Sequence, residues 1–170
     1  MTRIDLIDGD AELSAQARAV ADRIVETRGE LSRPFQLLLH SPGFAERVAE
    51  LGHAVRTRST LTDADRELAT LATGVAVACE FVWASHRSTA SAAGIPDETV
   101  ERLRNRRASL DPRQMALVSF VDELCGTGTV SSATFEAARA LLGDRGVVDL
   151  ALTVGYYTML ARVMGAFDAC

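Results

Sequence analysis

Residues 66 to 86 read Arg-Glu-Leu-Ala-Thr-Leu-Ala-Thr-Gly-Val-Ala-Val-Ala-Cys-Glu-Phe-Val-Trp-Ala-Ser-His, a buried-helix pattern that carries an acid, a thiol and an imidazole. Eleven of the residues between Glu67 and His86 are glycine or aliphatic, so an ionisable group turned inward here is desolvated and needs a partner or a task. Glu67, Cys79, Glu80 and His86 are therefore the first candidates for a site. Cys79 and His86 are two helical turns apart, on one face but separated by ~10 Å along the axis. Glu67 precedes Cys79 by ~18 Å of straight helix, so a shared site requires a break between them. Gly74 is the place for it. A helix that stops near Gly74 and restarts near Cys79 aims first-turn amides at the thiol and folds Glu67 back toward His86.

Outward from this stretch the punctuation is helical throughout, with almost no strand signal. Leu13, Ala17, Val20, Ala21, Ile24 and Val25 recur at helical spacing over residues 11 to 28, which close at Gly29. A short helix is expected over 32 to 39. Pro42 marks a first helical position, and Phe44, Val48, Leu51 and Val55 share a face up to Thr57. Thr62 is an N-cap with Asp63 and Asp65 in the first turn. Further helices start at Ile95-Pro96-Asp97-Glu98 and at Asp111-Pro112. Ser132 is expected to cap 133 to 142, Gly143 to stop them, and residues 146 to 167 to form a last, strongly apolar helix. The pattern predicts an all-α, single-domain bundle of about seven or eight helices spanning 1–170, with 1–31 as an N-terminal helical extension.

A chain of 170 residues with 48% hydrophobic and 24% charged residues has enough apolar content for one full core. All 18 basic residues are arginine, the net charge is -5, and no basic stripe extends beyond Arg102, Arg104, Arg106 and Arg107, which read as a solvated loop or helix end. No nucleic-acid partner is expected. Met1-Thr2-Arg3-Ile4-Asp5 lacks the pattern of a signal peptide, and no segment reads as apolar over the ~20 residues of a membrane span. The expected setting is the cytoplasm, without membrane contact, where Cys79, Cys125 and Cys170 stay thiols. Their wide separations fit neither a disulfide framework nor a zinc site, so no metal is expected. No lysine can form a Schiff base, and no phosphate loop or dinucleotide fingerprint appears, so no cofactor is expected either.

Arg66-Glu67-Leu68 followed by Glu80-Phe81-Val82-Trp83-Ala84-Ser85-His86 resembles the carboxymuconolactone decarboxylase and alkylhydroperoxidase D family, over roughly residues 34 to 168. In that family an Arg-Glu-Leu opens a long helix, and a segment ending in Cys-x-x-Cys-x-x-x-His or Glu-Tyr-x-Trp-x-x-His follows. Against the first form, Cys79 and His86 fall on the first cysteine and the histidine, while Val82 occupies the second cysteine position. Arg33-Pro34-Phe35 through Pro42 resembles the family's entry segment. Gly155-Tyr156-Tyr157 through Ala166-Phe167-Asp168 resembles its last helix, with Gly165 where an asparagine is usual. The resemblance implies the helical scaffold and trimers or trimers of dimers.

With Val82 removing the internal resolving thiol, the resemblance implies a decarboxylase acting on a small organic acid or lactone. Glu67, Cys79 and His86 would be catalytic, with His86 the proton donor, and Glu80, Val82 and Trp83 would line the substrate. Two other classes stay open: a one-thiol peroxidase using Cys79, and a non-catalytic binding or assembly module. At the residue level, Cys79 reads equally as a small core residue, and His86 as a structural partner of Glu67 or Glu80. Trp83 also suits a core or subunit interface. The last helix is apolar in nearly every direction, which predicts a homo-oligomer, and the resemblance implies a trimer or hexamer.

Overall fold

The computed structural model describes residues 2–8, 12–105 and 109–170, and among these it contains α-helices and no strand. The helices are α1 (Ala15–Arg28), α2 (Arg33–Leu38), α3 (Pro42–Thr57), α4 (Asp63–Ala76), α5 (Glu80–Ala92), α6 (Asp97–Asn105), α7 (Pro112–Thr127) and α8 (Ser132–Ala166). Most boundaries follow the sequence signals. Thr62 accepts from the Asp65 amide to cap α4, and Asp111 and Gln114 form a reciprocal capping box at α7. Gly29 and Gly128 close α1 and α7 in the left-handed conformation that glycine adopts without a steric penalty.

Two boundaries differ from expectation. α1 starts at Ala15, because the Ser14 hydroxyl accepts from the Ala17 amide and fixes the helix entry there. Residue 11, the expected start, lies outside the described residues. α8 is capped by Ser131 rather than Ser132: the Phe135 amide donates to the Ser131 carbonyl, and the Glu123 carboxylate accepts from the Ser131 amide at 2.6 Å. Gly143 has φ 69° and ψ 173°, so α8 is two helical stretches joined at the break foreseen there. The expectation that no segment could span a membrane is also corrected. α8 is long and apolar enough by length and composition, but half of its apolar window is packed inside the protein, as in a core helix.

The chain divides into two compact units: Met1–Arg58 with Val163–Ala169, and Ser59–Arg162 with Cys170. In the first, α1, α2 and α3 bury Val20, Ile24, Phe35, Leu39, Ala45 and Ala49 together. A cavity of about 400 Å³ lies within this unit, lined by residues of α1 and α3 and by Arg58. The second unit is built on α4, α5, α6, α7 and α8, with Leu68, Leu71, Trp83, Leu117, Val121 and Leu150 in one apolar cluster. α4 is its axis, buried from Asp65 to Gly74. Asp65, at the start of α4, takes two hydrogen bonds from Arg113 of α7, at 2.7 and 3.1 Å, and this contact pushes the Arg113 pKa up. Of the basic cluster, Arg102 pairs with Glu98 and bonds the Ser109 carbonyl, and Arg104 pairs with Glu80. Arg106 and Arg107 lie outside the described residues.

Candidate active site

Gly74 is what brings α4 and α5 together. A Cβ there would stand 3.1 Å from the Trp83 amide nitrogen and 3.2 Å from Val82 Cγ1, so only hydrogen lets the two helices approach this closely. Just beyond, α4 ends and Ala78 takes a φ of 54°, and the Cys79 amide donates to the Gly74 carbonyl at 2.9 Å. The chain reverses within these few residues and restarts as α5 with Cys79 at the N-cap, where no side-chain capping bond is made. This is the stop and restart that the spacing of Glu67, Cys79 and His86 demanded.

The reversal delivers Glu67 to His86. Their contact is 2.8 Å between His86 Nδ1 and Glu67 Oε2, and Glu67 is only 2% exposed. A buried carboxylate accepts, so Nδ1–H donates and Nε2 is the ring atom left to exchange a proton. Arg66 Nε lies 3.6 Å from the other carboxylate oxygen, and Arg66 also pairs with Asp63 at 2.8 Å. The edge of Tyr157 meets the His86 ring, with centroids 4.9 Å apart, and Tyr156 stacks edge-on against Tyr157. Both tyrosines are buried, although they leave the helix in different directions.

Cys79 is not a free thiol. It forms a disulfide with Cys170, across 91 residues of sequence, and this overturns the expectation that all three cysteines stay reduced and unpaired. The physical reason is placement in three dimensions. Cys170 packs against α8, its sulfur 3.4 Å from the Ala161 carbonyl, and α8 lies beside the start of α5. Ala161 follows Tyr157 by one turn, and Cys79 precedes His86 by two, so α5 and α8 run past each other in opposite directions. The disulfide sits at one level and the Glu67–His86–Tyr157 cluster at the next. Helical side chains lean toward their own N-terminus, which inclines His86 toward Cys79. Cys125, on α7, takes no part in that disulfide and lies beside the Thr158 hydroxyl.

The three expected substrate-lining residues are placed otherwise engaged. Val82 packs on Gly74, Trp83 is buried beneath the Arg104 guanidinium at 4.2 Å, and exposed Glu80 receives a 2.5 Å hydrogen bond from that same arginine. Glu67, Cys79 and His86 share the α4–α5 reversal; Glu80, Val82 and Trp83 serve its packing. Sequence reading missed Cys170 and Tyr157 as partners of the site. Among the described residues no group of three or more His, Cys, Asp or Glu side chains is gathered to hold a metal.

Residues 42–123 match the carboxymuconolactone decarboxylase family. No curated protein matches the chain. An uncharacterized peroxidase-related protein from Ralstonia eutropha JMP134, with an alkylhydroperoxidase AhpD core, is 21% identical, with 99% of this chain and 91% of that one covered at a TM-score of 0.82. A peroxidase-related protein from Silicibacter sp. TM1040 is 19% identical over 98% and 90%, at 0.80. A variant of the debrominase Bmp8 in complex with 2,3,4-tribromopyrrole is 12% identical over 100% and 93%, at 0.79. These likenesses concern the fold. The chain thus resembles the carboxymuconolactone decarboxylase and AhpD-like family, in sequence over residues 42–123 and in fold over its length.

Proposed function

We propose that this protein is a thiol-dependent peroxidase-type enzyme that reduces a small peroxide with Cys79 and Cys170 as its dithiol. The Cys79–Cys170 disulfide beside the Glu67–His86 pair carries this reading. The ground for preferring a decarboxylase was the want of a second thiol, and Cys170 supplies one from outside the motif. The peroxidase-related names of the structural neighbours point the same way.

In the reduced protein, the Cys79 thiolate lies at the α5 N-cap, at the positive end of the helix dipole, a setting that favours the anion. It attacks one peroxide oxygen; the O–O bond breaks, Cys79 becomes the sulfenic acid, and the departing alkoxide takes a proton. His86, oriented by Glu67, is the donor of that proton. The Cys170 thiol then attacks the Cys79 sulfur, expels water and forms the disulfide. Overall one peroxide and two thiols give one alcohol, one water and one disulfide. The expected cytoplasmic setting suits a bridge that turns over in catalysis better than one that persists as a structural staple.

The test is stopped-flow oxidation of the reduced protein by an organic hydroperoxide. The wild type is expected to lose two thiols per peroxide, Cys79→Ser to lose none at this site, and Cys170→Ser to stop at a Cys79 sulfenic acid trapped by dimedone. Turnover of an unsaturated lactone acid by Cys79→Ser at the wild-type rate would instead restore the decarboxylase reading.

A further inference from the structure

The two cysteines of the bridge are unequally exposed, and this bears on how it is reopened. Cys79 is 1% exposed, enclosed at the α4–α5 reversal. Cys170 is an exposed residue, held by the disulfide and by its contact with the Ala161 carbonyl. An attacking thiolate must approach one sulfur along the S–S axis, from the side opposite the bond that breaks. Attack on Cys79 would have to reach a residue that is almost wholly buried, whereas Cys170 is a residue open to solvent.

The leaving groups differ in the same sense. If Cys170 is attacked, the electron pair ends on Cys79, at the α5 N-cap, where the positive end of the helix dipole favours a thiolate. If Cys79 is attacked, the pair ends on Cys170, beside the Ala161 carbonyl oxygen, which repels an anion. Exchange is faster when the departing thiol has the lower pKa, so access and leaving-group stability both select Cys170.

We infer that Cys170 is the entry point for an external thiol reductant, with Cys79 the sulfur released. This rests on the dithiol reading above. An external thiolate attacks Cys170, the Cys79–Cys170 bond breaks, a mixed disulfide forms on Cys170, and Cys79 leaves as thiolate. A second external thiol attacks the donor sulfur of that mixed disulfide. It releases Cys170, which takes up a proton, and the donor departs as its own disulfide. Each cycle consumes two external thiols and returns both cysteines reduced. The donor's shared chemistry is a solvent-borne thiolate, whether on a small molecule or on a protein.

The experiment uses full-length Cys125→Ser, which removes the thiol outside the site. Diamide forms the bridge without any peroxide, so this arm is independent of peroxidase activity. The oxidised protein is mixed with substoichiometric glutathione, or with a protein dithiol lacking its own resolving cysteine. It is quenched in acid at early times, alkylated with N-ethylmaleimide and mapped by peptide mass spectrometry. The expected result is the donor adduct on Cys170 and the alkyl group on Cys79, in roughly tenfold excess over the reverse. An adduct on Cys79, an even distribution, or failure of diamide to form the bridge would overturn the inference. Peroxide inertness with the Cys170 adduct intact would overturn only the peroxidase reading.

Discussion

Glu67 is the residue whose environment constrains the site most. Its carboxylate is buried, receives the His86 Nδ1–H at 2.8 Å, and has Arg66 Nε at 3.6 Å as its other charged neighbour. Removing one partner from a buried pair leaves a charge without compensation, which costs more than the pair contributed. Arg66 softens that loss here. His86→Ala is therefore expected to lower stability by about 2 to 3 kcal/mol, and Glu67→Gln, which keeps an acceptor facing the ring, by about 1 kcal/mol. Urea unfolding of both variants checks this; equal losses, or none, would mean the pair contributes only by filling space. That a break at Gly74 would fold Glu67 back toward His86 was legible in the sequence; that His86 pairs with Glu67 rather than with Glu80 was not. Nor was the disulfide. Nothing local to Cys170 signals its partner, and connectivity across 91 residues depends on which helices become neighbours.

At the scale of elements, the caps and stops at Thr62, Asp111, Gly29 and Gly143 were legible, whereas the starts at Ser14 and Ser131 were not. Nor was the closeness of α4 and α5, because periodicity identifies a buried face without its partner. Gly74→Ala probes that closeness: the added methyl would meet the Trp83 amide and Val82 inside ordinary contact distance, so α5 must shift. We expect a loss of about 1 to 3 kcal/mol in urea unfolding and slower disulfide formation in the reduced protein. An unchanged stability would show that α5 can move freely. The α7–α8 turn gives a pH prediction. Glu123 accepts from the Thr134 hydroxyl and the Ser131 amide, and these bonds hold its pKa below the usual carboxylate value of 4.5. A carboxylate depressed in the folded state stabilises it above the unfolded value, and that contribution disappears as pH falls through the folded one. The Tm difference between wild type and Glu123→Gln is thus expected to be present at neutral pH and to close in acid. A difference that instead grew below pH ~4 would contradict the assignment.

For the whole molecule, the outer face of α8 is the unresolved element of the packing. Val148, Leu152 and Met159 are 58%, 51% and 36% exposed, and exposed Gly155 lies between the last two. Their spacings of four, three and four residues are those of a seam that packs against another helix. Gly155 allows a close backbone approach at its centre. The inner face of the same helix is already committed, with Leu150, Val154, Tyr157 and Leu160 buried. An all-round apolar helix therefore has one side satisfied within the chain and one side in water, the condition under which association removes apolar surface at little further ordering cost. We expect a homo-oligomer, a trimer or hexamer, with this stripe in the contact. Sedimentation equilibrium at micromolar concentration should return a multiple of 18.2 kDa for the wild type, and the bare 18.2 kDa for Leu152→Glu. A wild-type monomer would remove this expectation, and a Leu152→Glu oligomer would move the contact to another surface. Because the stripe faces away from Tyr157 and Ala161, a dissociated Leu152→Glu protein is expected to keep its Cys79–Cys170 bridge. The same sample can be scored for both mass and free thiols.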